Sequence, residues 1–198
     1  MSPAPKRFQQ TKQLHFLTFS CYRRLPFLAN KHAAEVFEEY LEKTRRWYGL
    51  TIYAYVVMPE HVHLLVNEPD RGSLSIAIQM LKQNVSRALA AQKASPQFWQ
   101  RRYYDFNMWN EPKRIDKLQY IHNNAVTRGL VAKPEDWPWS SFLHCATGKE
   151  GVVEIESEWT ARRRERMGSP LRVKMSATSL PPCRNDSDKG GAPSSRNG

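Results

Sequence analysis

The 198-residue chain has only three cysteines, Cys21, Cys145 and Cys183, an odd number without CxxC spacing. Neither a disulfide framework nor a cysteine-built zinc site is indicated, and a reducing cytoplasm is the simplest home. Long apolar runs are also missing. No stretch reaches the ~20 residues a membrane span needs, and no apolar segment follows the charges of Met1-Ser2-Pro3-Ala4-Pro5-Lys6-Arg7. A soluble, unexported protein with no membrane partner is expected. No internal repeat is found. Acidic residues are in deficit, 19 Asp and Glu against 30 Lys and Arg, which leaves a net charge of +11. Such a balance favours polyanions such as nucleic acid over acidic small molecules, although charge alone does not separate DNA from RNA or anionic lipid.

Part of that excess belongs to one end. Residues 161–198 hold nine basic and three acidic side chains. With Arg162-Arg163-Arg164 followed by a Ser/Pro/Gly/Asn-rich run without periodicity, 161–198 reads as a basic disordered tail. Residues 1–12 read as a flexible N-terminus and 13–160 as one domain, and the chain's 40% hydrophobic content is ample for one core.

Within the domain the hydrophobic period alternates between strand and helix. Gln13 to Ser20 (QLHFLTFS) is rich in β-favouring residues and predicts a first strand, followed by the basic turn Arg23-Arg24-Leu25-Pro26. Lys31 to Tyr48 carries Val36, Phe37, Tyr40, Leu41 and Trp47 at helical spacing, with Asn30 placed to cap its start and Gly49 to end it. Thr51–Met58 and His61–Asn67 form two β-type runs joined by a short Pro-containing link, which implies an antiparallel hairpin. Ser73 to Ala91 places Leu74, Ile78, Leu81, Val85 and Leu89 on one stripe of a second helix, and Phe98 to Phe106 predicts a fourth strand. The order gives an α+β class, a ferredoxin-like βαββαβ antiparallel sheet with one face left for a site. An added C-terminal helix runs from Asn110-Glu111-Pro112 to about Arg128, before Gly129. Pro134 to Phe142 (PEDWPWSSF) reads as a clasp packed back on the core.

Two histidines stand out in Met58-Pro59-Glu60-His61-Val62-His63, because alternate residues of a strand share a face. Strand histidines are often ordinary hydrogen-bonded residues, so a metal site needs a third ligand. Asn124 supplies a candidate amide oxygen one helical turn after Tyr120. The helix's apolar stripe runs through Ile115, Leu118, Ile121 and Ala125, and Tyr120 and Asn124 are offset from its centre. A phenol of pKa ~10 is scarcely ionised at neutral pH and needs a base, a metal or an activated electrophile. A divalent cation on a scissile phosphate meets that need.

MPEHVHLLV, KLQYIHNNAVTRGLV and PEDWPWSSF, in that order, resemble the HUH single-tyrosine transposases, most closely their REP-associated tyrosine transposase branch. The resemblance implies that His61, His63 and Asn124 bind Mg²⁺ or Mn²⁺ and that Tyr120, on the added helix, is the nucleophile. It also implies cleavage of single-stranded DNA near a hairpin or inverted repeat, leaving a 5′-phosphotyrosine and a 3′-hydroxyl, by a monomer or a homodimer. Two departures stand against the pattern. Ala125 follows Asn124 where proline is usual, which predicts a more continuous helix. Phe106-Asn107-Met108-Trp109 follows Asp105, where relatives have a histidine and later an arginine. Arg23 and Arg24, Lys82 and Arg87, Arg101 and Arg102, and Lys113 and Arg114 lie beside aromatics or helix ends and are candidate DNA contacts. Tyr103 and Tyr104 read as structural. Rival readings are an idle hairpin-DNA-binding module and a metal-dependent RNA nuclease on the same fold.

Overall fold

The computed structural model describes residues 14–90, 97–108 and 111–168. The expected flexible N-terminus with Gln13, the Asn110 cap, Ala91 and the tail from 169 onward lie outside the described residues. Four strands, β1 (Leu14–Ser20), β2 (Ile52–Val57), β3 (His61–Val66) and β4 (Tyr104–Met108), form an antiparallel sheet in the order β2-β3-β1-β4. With α1 (Lys31–Tyr48) after β1 and α2 (Leu74–Ala88) after β3, this is the ferredoxin-like arrangement read from the sequence.

The caps behave as their side chains dictate. Asn30 accepts a hydrogen bond from the Ala33 N–H at 2.8 Å, and Ser73 accepts from Ile76 at the start of α2. Gly49 closes α1 with φ 69°, and a Cβ there would come within 2.8 Å of Asp70 Cβ, so both conformation and space require glycine.

Strand alternation sends side chains to two faces. Leu17, Phe19, Ile52, Tyr55, Val57, Val62, Leu64 and Val66 pack with Phe37 and Leu41 of α1 and Ile78, Leu81 and Val85 of α2. Leu14, Phe16, Tyr53, Ala54, Val56, Leu65 and Met108 form the second layer with Leu118, Ile121 and Ala125. A bulge between Ile52 and Ala54 is why Tyr53 and Ala54 both face this layer.

The added helix therefore covers part of the face that the sequence reading left open. It consists of α3 (Glu111–His122) and α4 (Asn124–Thr127). The more continuous helix expected from Ala125 is not found: α3 closes with Asn123 N donating to Gln119 O, α4 opens with Thr127 N donating to Asn123 O, and Asn123 between them is an interruption at ψ 1°. The segment 137–141 closes the outer edge of β2: Val57 N bonds Trp139 O, Ser141 N bonds Tyr55 O, and Trp137 Nε1 donates to Val57 O. It leads into α5 (Phe142–Thr147).

Two readings are corrected. The fourth strand begins at Tyr104 rather than Phe98, since Phe98 and Trp99 are drawn into the α1/α2 core, where Trp99 Nε1 donates to Lys82 O. Residues 158–166 form a helix, α6 (Glu158–Arg166), so the disordered tail does not start at 161. Ser157 caps α6 on Thr160 N, Arg163 pairs with Glu150, and Arg164 with Glu154 and Glu156, so the arginine run is helical and partly paired. No described helix is long and apolar enough to cross a membrane.

Candidate active site

The site grows from the centre of the sheet. β3 is flanked by β1 and β2, with His63 opposite Thr18 and Val56, and His61 opposite Ser20. Both histidines are only 4% exposed. Their Nε2 atoms converge to 3.1 Å, and each Nδ1 is held from behind: His61 by Glu60 Oε1 at 3.1 Å and His63 by Thr18 Oγ1 at 2.8 Å.

These partners fix the proton position on His61 and allow two on His63. The Glu60 carboxylate only accepts, so His61 Nδ1 carries the proton and its Nε2 presents a lone pair. The Thr18 hydroxyl turns either way. When it donates to His63 Nδ1, His63 Nε2–H bonds the His61 lone pair; when it accepts, both Nε2 lone pairs face the same point. The second arrangement is that of paired metal ligands with carboxylate and hydroxyl groups behind them. Neither imidazole favours protonation. Burial lowers the pKa of His61 against the opposing pull of Glu60, and burial, with the neighbouring His61 ring and the charges of Lys117 and Arg24, pulls His63 down to about 3.

The helix delivers the hydroxyl. α3 packs on β2 and β3, and burial of Leu118, Ile121 and Ala125 fixes its rotation. Ile115 is only partly buried. Tyr120, off that stripe, is 47% exposed, and its ring centroid lies 5.1 Å from that of His63 and 6.0 Å from that of Phe16. Histidine pair and tyrosine thus meet within one chain, and no exchanged helix from a second copy is required. One turn on, Asn124 is 5% exposed and its Oδ1 has no hydrogen-bond partner among the described residues. A buried acceptor in that condition costs free energy unless something else fills its coordination. By type, neutral imidazole nitrogens and an amide oxygen are donors that suit a divalent cation.

The candidate DNA contacts divide. Arg24 Nη1 lies 3.9 Å from Glu60 Oε1 at the His61 end, and Arg23 and Arg24 both hold positive φ, 52° and 57°, rare for such side chains. Lys113 Nζ lies 5.6 Å over the Phe106 ring on the same side of the sheet as the histidines. Arg101 and Arg102 are exposed just before β4. The others do not gather at the site: Lys82 bonds Gln100 O and, with exposed Arg87, belongs to α2 across the sheet, while Arg114 is buried. Sequence reasoning missed Glu60, Thr18, Lys117 and Arg128. Arg128 donates to Glu60 Oε1, and Lys117 Nζ sits 5.2 Å over the Tyr120 ring. A signal existed for the two cations, because Lys117, Tyr120, Asn124 and Arg128 are spaced three and four apart.

Residues 9–124, more than half of the chain, match the IS200-like transposase family, and the chain belongs to that family of DNA-processing enzymes. Its curated relatives are REP-associated tyrosine transposases. One of Haemophilus influenzae is 29% identical over 142 residues, 65% of this chain and 79% of that protein. Another, of Escherichia coli K12, is 29% identical over 101 residues, 50% of this chain and 59% of that protein. A solved REP-associated tyrosine transposase bound to a REP hairpin superposes with a TM-score of 0.65 at 23% identity, covering 77% of this chain and 91% of that one. At that identity the likeness is one of fold.

Proposed function

We propose that this chain cleaves and rejoins single-stranded DNA beside a hairpin or inverted repeat, with Tyr120 as nucleophile and His61, His63 and Asn124 as ligands of Mg²⁺ or Mn²⁺. The observation that carries the reading is the convergence of the two Nε2 atoms, 3.1 Å apart, beside the Tyr120 ring. Imidazole suits transition metals and Mg²⁺ prefers oxygen, so Mn²⁺ is the better match to this donor set. When bound, the cation supplies Lewis acidity to a non-bridging oxygen of the scissile phosphate.

The chain's own groups do the rest. Tyr120 Oη forms a bond to phosphorus as the bond from phosphorus to the 3′-oxygen breaks. The phenol loses its proton and the departing 3′-oxygen gains one, which leaves a 5′-phosphotyrosine and a 3′-hydroxyl. Because one phosphodiester is exchanged for another, attack by a 3′-hydroxyl restores a DNA strand without a nucleotide cofactor. Lys117, Arg24 and Arg128 place positive charge around the reaction point, and the REP hairpin held by the solved relative supports a DNA hairpin as partner.

Incubation with labelled hairpin oligonucleotides and Mn²⁺ tests this. Wild type is expected to form a protein-linked product and Tyr120→Phe none. Tight binding without any adduct would identify an idle binding module, and cleavage that survives in the Phe variant would point to water as nucleophile.

A further inference from the structure

Beside the proposed reaction point lies an aromatic surface that neither the metal site nor the nucleophile uses. β4 is an edge strand, and its alternate residues Tyr104 and Phe106 face the α3 side. Their rings lie 6.4 Å apart with planes inclined by only 3°. Tyr104 is 50% exposed, and Phe106 is partly buried against the α3-side core. Phe16 continues this surface inward, edge-on to Tyr104 at 6.4 Å and to Tyr120 at 6.0 Å, and stacked on His63 at 5.4 Å. Through the strand register, Tyr104 stands in one row with Thr18 and His63. Two ammonium groups border the surface, Lys113 over Phe106 at 5.6 Å and Lys117 over Phe16 at 4.7 Å.

We propose that Tyr104 and Phe106 form a stacking platform for unpaired bases of single-stranded DNA next to the scissile phosphate, with Lys113 and Lys117 facing its backbone. The proposal rests on the strand-transfer reading and adds how the flank is held. Base faces stack on aromatic rings whatever their sequence, and cations beside the rings match the phosphates between bases. Duplex DNA keeps its base faces covered by their neighbours, so the surface fits a single strand. Core packing does not account for Tyr104, half of whose surface is open.

The test measures binding of the full chain by fluorescence anisotropy, without divalent metal so that no strand is cut. The probes are a hairpin oligonucleotide with a short thymidine flank and the same hairpin with a blunt end. Relative to wild type, the Tyr104→Ala, Phe106→Leu double variant is expected to lose about tenfold or more in affinity for the flanked hairpin and little for the blunt one. Abasic sites in the flank should weaken wild type by a similar factor and the double variant no further. Tyr104→Ala alone, a change at an exposed position, should show part of the loss and guards against misfolding of the double variant. Equal binding by wild type and both variants, with a Tyr120 adduct still formed when Mn²⁺ is added, overturns the platform alone. Wild type that does not distinguish flanked from blunt DNA and forms no adduct overturns the platform and the strand-transfer reading together.

Discussion

Val62, Leu64 and Val66 of β3 point toward α1 and α2, while His61, His63 and Leu65 of the same strand point toward α3. The backbone and its pairing are shared, so side-chain chemistry alone distinguishes the two faces. On the α1/α2 face nearly every inward group is apolar, and each buried side chain contributes through removal from water and close packing. On the α3 face the apolar layer runs from Leu14 and Met108 to Leu118 and Ile121, then gives way to two desolvated imidazoles, an amide oxygen without a partner among the described residues and a half-open tyrosine. One face holds the sheet while the other spends part of its area on groups that burial does not favour. Their desolvation is repaid when a charge or ligand meets them.

The contrast is broken most forcefully from the apolar side. Phe37 is fully buried in α1 and packs on Phe19 and Trp99, with ring centroids 6.0 and 6.3 Å away. Phe37→Ala should cost ~3–5 kcal/mol in urea unfolding, because the cavity lies among residues that collapse poorly. If the loss were as small as that of an exposed substitution, the α1/α2 layer would not be the main source of stability.

Local signals in the chain made much of this legible. Asn30 and Gly49 announced the ends of α1, and the spacing of His61 and His63 placed both rings on one side of a strand, because capping and alternation act within a few residues. Other features depend on partners distant in sequence. Phe98 and Trp99 have strand-like composition, yet aromatic richness marks burial as readily as pairing, and tertiary contacts with α2 decided their place. The arginines of α6 look like a solvated run until Glu150, Glu154 and Glu156 are seen beside them. Glu60 adjoins His61 in sequence, but its role depends on Arg128, 68 residues away. The layout of the helix that carries Tyr120 was readable, whereas the groups that orient the histidines emerge only when the strands are paired.

A pH titration sharpens the same contrast on the helix side, where the carboxyl of Glu38 has been taken inside. Glu38 of α1 is 6% exposed and accepts a hydrogen bond from Tyr55 Oη at 2.7 Å. Burial, opposed by that hydrogen bond and aided by Glu35, pushes its carboxyl up to about 7 from an ordinary 4.5. The folded-state value is raised, so the native state holds the proton more tightly than the unfolded chain. The stability contributed is complete below about pH 4.5 and is lost as pH rises through about 7. Glu38→Gln keeps a neutral acceptor for Tyr55 and should remove the dependence. Its advantage over wild type should grow across that window to roughly 3 kcal/mol at pH 8. Parallel stability curves for the two proteins from pH 4 to 8 would show that the buried carboxyl does not titrate as described.

The smallest expected effect addresses the α3 face directly. If the convergent imidazoles and Asn124 Oδ1 hold a cation, metal binds the folded chain and stabilises it by mass action, by about 1.4 kcal/mol when free Mn²⁺ is ten times its dissociation constant. Thermal unfolding with increasing Mn²⁺ should therefore show a midpoint that rises with the logarithm of concentration. His63→Ala removes one of the converging nitrogens and should abolish the rise, and Asn124→Ala should weaken it. Lys82→Ala changes a residue on the opposite side of the sheet and should leave the Mn²⁺ response intact, even if loss of its bond to Gln100 O lowers the starting stability. This readout needs neither DNA nor turnover, so it separates the metal site from the strand chemistry built on it. A rise that persists in His63→Ala would place the cation elsewhere and leave the 3.1 Å approach of the two histidines as a hydrogen bond of the folded chain.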